Sequence, residues 1–262
     1  MTADNMLFEK AGAIARITFN NPERRNAVSL EMWEAGNEML QRCHDDHDIR
    51  IVLVTGTGDK AFISGADVSK FEDERATSDG VAHYNAATAR FYNTLNGLAK
   101  PTIAMIRGYC IGGGVSVAIA CDLRICSENS RFAIPAARLG LGYGYESIKR
   151  LSDIVGPSFT KEILYTTRLF NAQEALSMKL VNRVVVESEL QGYVQDYAET
   201  IAANAPMTVT SVKQIVGEML KHPDERDMEK CKNLVSDCFA SQDYIEGRRA
   251  FMEKRKPVFT GR

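Results

Sequence analysis

An α/β layered core closed by a helical C-terminal region is the fold class that this chain of 262 residues predicts. Three observations carry the prediction. Short β-rich runs alternate with helical stripes through the first two-thirds of the chain. Glycines crowd the places where those runs end. After about residue 204 the strand-like runs stop and only helical stripes remain.

The elements follow in order. Ala13–Phe19 alternates apolar and polar residues before the Asn20-Asn21-Pro22 turn, as a half-buried strand does. Ser29 is placed to cap a helix whose inner stripe holds Leu30, Trp33, Leu40 and Cys43. Arg50–Val54 is a short strand ending at Gly56, and a helix over roughly Val81–Leu98 leads to Pro101. Thr102–Ile106 and Asp122–Cys126 read as two further strands. Leu190, Tyr193, Val194, Tyr197, Ala198 and Ile201 form a clean helical stripe. Val209, Val212, Val216, Met219 and Leu220 form the next, beyond Ala205-Pro206. Two charged helices, about Asp224–Phe239 and Gln242–Lys254, complete the chain.

Composition bounds the function classes. Hydrophobic residues make up 45% and charged residues 25%, a globular balance that excludes wholesale disorder. The length suits one large domain, or one domain with a small appendage. A net charge of −2 and a pI near 6.1 argue against a dedicated nucleic-acid binder. The first ten residues lack a basic segment followed by an apolar run, so no secretory signal is read there. Residues 101–120 match a membrane span in length, but Arg107 and four glycines interrupt them. Six irregularly spaced cysteines, with no CxxC, suit reduced thiols in the cytoplasm rather than structural zinc.

Chemistry concentrates in two glycine-bearing stretches. Seven of the 19 glycines lie between Gly108 and Gly144. There a strand enters, Gly112-Gly113-Gly114 turn, and a small-residue helix leaves through Ser116. Unsatisfied N–H groups at a helix start can hold an anion or a developing oxyanion; a tight packing turn is the alternative. The run lacks the Gly-Lys-Ser/Thr ending of a phosphate loop and misses the dinucleotide fingerprint, as does Gly140–Gly144. The second stretch is Ser64-Gly65-Ala66-Asp67-Val68, again just past a strand. Two such loops could aim two N–H groups at one carbonyl oxygen, as thioester chemistry requires.

Asn20-Asn21-Pro22-Glu23-Arg24-Arg25-Asn26-Ala27, Phe62–Asp67, Ile111–Gly114 and Cys121-Asp122 occur in order along the chain. So do Ala172-Gln173-Glu174-Ala175 with Leu180-Val181-Asn182, and Glu246-Gly247 with Ala250–Arg255. In this ordered set the chain resembles the crotonase (enoyl-CoA hydratase/isomerase) superfamily nearly from end to end.

The resemblance implies a crotonase-type spiral of ββα units over residues 1–200. A C-terminal helical trimerisation region would span 201–262, in trimers that often pair into hexamers. It implies an acyl-CoA thioester as ligand, with no metal and no cofactor beyond the coenzyme A of the substrate. The oxyanion hole would be the N–H groups of Ala66 and Gly113. Ser64, Gly65, Ala66, Asp67 and Val68 would lie against the adenine, Arg25 near the CoA phosphates, and Ala27 and Gly112 beside the ligand. Capping of the next turn is an equal reading of Asp67.

Hydratases of this superfamily carry a glutamate two residues after the glycine run and a second after a proline further on. Ser116 and Ala136 stand at those positions here, so both carboxylates are missing. Replacement candidates lie in the segment that closes over the acyl group: Glu146 as a base, with Tyr143 or Tyr145 as donor or pocket wall. Glu146 also suits the first turn of a short helix ending near Arg150, and the tyrosines also suit plain packing. His83 reads as a helix-surface residue, and His44–Asp48 as a solvated turn rather than a metal site.

Two functions remain open on this reading. One is an acyl-CoA lyase or isomerase working through an enolate, by hydration, double-bond migration or decarboxylation. The other is an inactive crotonase-fold protein that only binds acyl-CoA.

Overall fold

The computed structural model describes residues 5–70 and 76–262, and the side chain of Val68 lies outside that description. Among the described residues, ten short strands divide between two sheets in a repeating way. β1 (Met6–Ala11) and β2 (Ile14–Phe19) form an antiparallel hairpin, turned at Gly12. Thereafter each unit gives one strand to each sheet. β3 (Ile51–Gly56), β5 (Thr102–Ile106), β7 (Leu123–Ser127) and β10 (Arg183–Val185) extend the first sheet in the order β1-β2-β3-β5-β7-β10. β4 (Ala61–Ile63), β6 (Tyr109–Ile111), β8 (Arg131–Ala133) and β9 (Phe170–Asn171) build the second in the order β4-β6-β8-β9. The chain therefore winds as a spiral.

Sequence explains why the central strands hold. Ile51–Val54 and Ile103–Ile106 are apolar at nearly every position because both faces of this parallel sheet are covered. Val52, Val54, Ala104 and Ile106 face Phe62, Ile63, Cys110 and Phe132 of the second sheet in the main core. Ile51, Leu53, Ile103, Met105 and Ile125 face outward, where Leu190, Val194, Ala198 and Ala202 of a helix cover them. The boundary expected at 200/201 thus falls within a helix that belongs to the sheet.

The helices are α1 (Leu30–Asp45), α2 (Ser78–Gly97), α3 (Gly113–Ala120), α4 (Tyr145–Thr166), α5 (Ala172–Ser177), α6 (Leu190–Ala203), α7 (Pro206–Met219), α8 (Met228–Ala240) and α9 (Gln242–Glu253). Ser29 caps α1 through the Met32 N–H, as its position implied. The Ala172–Ala175 motif is a capping box, Asn171 and Glu174 each taking the other's backbone N–H. The Leu180–Asn182 motif is a brace: buried Arg124 donates to the carbonyls of Leu180 and Cys121, and Asn182 accepts from the Arg124 N–H.

Two expectations change. The helix expected to end near Arg150 continues to Thr166, because Leu151, Val155, Thr160 and Ile163 carry its buried stripe onward. It bends at Gly156, φ 79°, where Pro157 starts the second segment without losing a bond it needed. The first charged C-terminal helix begins at Met228 rather than Asp224, since Asp227 caps it through the Lys230 N–H. The apolar stripe on α7 faces outward. Val212, Val216, Met219 and Leu220 are exposed in the single chain, while Ser211 and Glu218 are buried. Glu218 is held by Lys221 and Lys230 and accepts from the Asp227 N–H.

Past α9 the tail is clamped by Arg255, which grips Glu246 with both terminal nitrogens, at 2.6 and 2.9 Å. That pairing, reinforced by the Val258 N–H, holds the Glu246 carboxyl down at about 2, against an ordinary 4.5. The clamp therefore stabilises fully above pH 4.5 and is lost as pH falls toward 2. The protection of the Val258–Arg262 amides against hydrogen exchange, taken relative to the intrinsic rate at each pH, is expected to fall across that window. A Glu246→Gln variant is expected to show the fast exchange already at pH 6.

Candidate active site

Parallel pairing of β4 with β6 places Ala61 beside Tyr109 and Ile63 beside Cys110. The two loops that leave these strands, Ser64–Asp67 and Gly112–Gly113, consequently emerge side by side at the same sheet edge. They are pressed together. A Cβ on Gly114 would meet the Ile63 carbonyl oxygen at 2.3 Å, so only glycine lets the start of α3 approach β4 this closely. Gly112, with φ 53° and ψ −110°, makes the turn that starts α3, and its N–H is spent on the Ala133 carbonyl.

The first loop is pinned on its other side. Val28 forms a bridge with Ala66, donating to the Gly65 carbonyl while the Asp67 N–H returns to Val28. These bonds use the neighbours of Ala66 and leave its own N–H without a backbone acceptor among the described residues. Gly113 is the first residue of α3, where no intrahelical acceptor exists. From Gly114 to Ala120 that helix is buried, so its positive end acts in a poorly screened interior. Two free donors on adjacent loops, one at a buried helix start, can stabilise negative charge on one oxygen.

Hydroxyls surround this point. Ser116, one turn into α3, is buried. Tyr92 on α2 brings its hydroxyl to 3.4 Å from where a Gly113 Cβ would stand. Its ring is wedged edge-on against Trp33 and Phe91, with centroids at 5.4 and 6.4 Å. Tyr143 packs half-buried against the same core. Burial pushes both phenols above their ordinary value, and the nearby Ser116 hydroxyl works the other way. Both are therefore neutral donors at physiological pH. Arg150 on α4 donates to Asn93 on α2, and its charge also bears on Tyr92.

The enoyl-CoA hydratase/isomerase family profile matches residues 9–262, nearly the whole chain. The chain belongs to that family. It is 33% identical to the short-chain-enoyl-CoA hydratase of Clostridium acetobutylicum, over 98% of this chain and 97% of the relative. With the carnitinyl-CoA dehydratase of Salmonella paratyphi A it shares 32% identity, over 99% and 100%. A crystal structure of an enoyl-CoA hydratase/isomerase family protein from Hyphomonas neptunium superposes with a TM-score of 0.93. It is 36% identical and the match covers 100% of this chain and 99% of that one. The spiral of ββα units with C-terminal helices is thus the crotonase fold of this family.

Other residues singled out from the sequence fall into place around the loops. Asn26, fully buried with φ 56°, ties the family's Asn20–Ala27 segment to the sheet. Its amide donates to the carbonyls of Thr57 and Ala61, at 3.0 and 2.7 Å, and accepts from the Asn21 N–H at 2.9 Å. Ala27 is buried and its carbonyl accepts from the Asn21 amide. Arg25 is exposed, with its guanidinium 5.6 Å from the Tyr109 ring centre, and its carbonyl accepts from the Ser64 N–H.

Asp67 is buried and its carboxylate is occupied. It accepts from Arg24 at 3.0 and 3.2 Å and from the Ser69 N–H and hydroxyl. Capping of the Val68–Lys70 turn is what the structure shows for Asp67; the side-chain role expected of Val68 lies outside the described residues.

Of the candidates, Ser116 is buried on α3 and Tyr143 packs half-buried against the main core. Ala136 is buried in a short turn following Pro135 and carries no chemistry. Glu146 and Tyr145 stand exposed in the first turn of α4, Tyr145 at 74%, with Glu146 acting electrostatically on Arg150 and Lys149. His83 is exposed and pairs with Glu34 at 3.0 Å. No group of three or more potential metal ligands occurs among the described residues. Tyr92 was not legible beforehand. It occupies an ordinary helical position beside Phe91, and only the packing of α2 on α3 brings its hydroxyl to Gly113.

Proposed function

We propose that this chain is an acyl-CoA lyase that holds a thioester enolate between the N–H groups of Ala66 and Gly113. The observation that carries the reading is the pair of unengaged donors on loops leaving adjacent parallel strands, one at the start of a buried helix. A thioester carbonyl seated there gains negative charge as the enolate forms, and each donor contributes more to that state than to the resting ester. Arg25, exposed and without a carboxylate partner among the described residues, suits the CoA phosphates. Ser64, Gly65 and Gly112 supply the narrow walls that let the ligand approach the backbone.

Proton handling distinguishes this site from a paired-carboxylate design. Around Gly113 stand neutral hydroxyls, from Ser116, Tyr92 and Tyr143, which donate protons but do not abstract them. Glu146, at the start of α4, is the carboxylate assigned to base chemistry. Hydration and double-bond migration need such a base; decarboxylation makes the enolate without one.

Turnover of crotonyl-CoA and malonyl-CoA, with products identified by mass spectrometry, tests the reading. The expected result is a hydrated or decarboxylated thioester. Glu146→Gln is expected to abolish crotonyl-CoA turnover and to spare malonyl-CoA turnover. Tight binding of both esters with no product from either would instead support a binding-only protein.

The same reading includes a homotrimer or a pair of trimers in the cytoplasm. Outward-facing Val212 and Val216 on α7, with Phe251 and Met252 on α9 at 82% and 80% exposure, support assembly through the C-terminal helices. Six unpaired thiols support a reducing compartment. No described helix is long and apolar enough to cross a membrane.

A further inference from the structure

We propose that Tyr92 is a catalytic residue of this site, its hydroxyl delivering the proton that the thioester enolate takes up at the α-carbon. The inference rests on the enolate reading above and adds a residue that no motif in the chain marks. Three observations of geometry lead to it. The phenol oxygen stands 3.4 Å from the Cβ position of Gly113, beside the residue whose N–H this reading assigns to the ester oxygen. The ring cannot swing away, because Trp33 and Phe91 hold it edge-on from two sides and Phe19 backs that cluster. Ser116 lies one helical turn from Gly113 on the buried α3, and Tyr143 packs half-buried against the same core as Tyr92.

The step balances without another reactant. The O–H bond of Tyr92 breaks, a C–H bond forms at the α-carbon, and the enolate electron pair returns to the thioester. The phenolate left behind is reprotonated from solvent along Ser116 and Tyr143. A buried phenol is a weak acid, but a thioester α-carbon holds a proton far more tightly, so the transfer runs downhill. The positive charge of Arg150 favours the transient phenolate. Addition of hydroxide to an enoyl ester and loss of carbon dioxide from a malonyl ester both end in this protonation. Tyr92 is therefore needed for either of these two esters.

Tyr92→Phe keeps the ring packing and removes only the hydroxyl, which makes it the informative variant. With whichever of crotonyl-CoA or malonyl-CoA the wild-type protein consumes, kcat is expected to fall about 10²–10⁴-fold at little-changed KM. Thermal melting and Trp33 fluorescence are expected to match wild type. Ser116→Ala is expected to lower kcat less and to reduce the solvent deuterium isotope effect, because it breaks the return path and not the donor. A Tyr92→Phe enzyme with wild-type kcat overturns the assignment while leaving the enolate reading standing. A loss confined to KM also overturns it, marking Tyr92 as a binding group only. A wild-type protein that turns over neither ester overturns the enolate reading itself, and this assignment with it.

Discussion

Gly113→Pro is expected to cut turnover by about 10²–10³-fold while the fold survives. The reason lies in where Gly113 stands. It is the first residue of α3, a position at which proline is well accommodated because the missing N–H had no helical partner. Gly112, already in a conformation open chiefly to glycine, tolerates a following proline better than any other residue would. The new ring fills the space that the N–H faced, and its Cβ would stand 3.4 Å from the Tyr92 hydroxyl and 3.9 Å from the Trp33 ring. The substitution thus removes one oxyanion donor, an effect of about 2.7–4 kcal/mol on the transition state. Steady-state kinetics beside a thermal melt checks it. Unchanged kcat with unchanged melting would remove Gly113 from the chemistry.

Asn26→Ala is expected to be the most damaging single change to stability near the site, by about 3–5 kcal/mol. Its amide satisfies the Thr57 and Ala61 carbonyls and the Asn21 N–H, all at or near the buried end of β3 and β4. Leaving a buried polar group unpaired costs about 1–3 kcal/mol each. Alanine at φ 56° adds about 1–2 kcal/mol of backbone strain that asparagine bears more easily. Space explains the choice further: a Cβ on Gly56 would sit 2.6 Å from the Asn26 amide nitrogen, so side chain and glycine form one fitted joint. Because the Arg25 carbonyl holds the Ser64 N–H, loosening this turn also loosens the ligand loop. Urea unfolding reads the stability, and KM for the CoA ester is expected to rise. A stability loss below about 1 kcal/mol would contradict the account.

Much of the fold was written in local patterns. The strands Ile51–Gly56 and Thr102–Ile106 announce themselves as apolar β-branched runs, and Ser29 and the Asn171–Glu174 box mark helix starts with their own side chains. The glycine loops were legible too, because Gly112 and Gly114 answer needs of backbone geometry that no other residue meets. The three-residue strands β4, β6 and β8 were harder, since they depend on pairing between distant segments rather than on their own pattern. The same holds for the site. Ala66, Gly113 and Ser116 belong to motifs, whereas Tyr92 reaches the loops only because α2 packs beside α3. The α7 stripe shows a different limit: periodicity shows that a face is apolar but not whether it turns inward or toward another chain.

The central claim is that the Ala66 and Gly113 N–H groups polarise a thioester carbonyl, and it can be observed without knowing the reaction. Butyryl-CoA labelled with carbon-13 at the carbonyl, bound to the protein and followed by NMR, is the direct probe. The carbonyl resonance is expected to move downfield on binding in the wild-type protein, and most of that shift is expected to vanish in Gly113→Pro with the ester still bound. A bound ester whose carbonyl resonance equals that of the free ester would contradict the account.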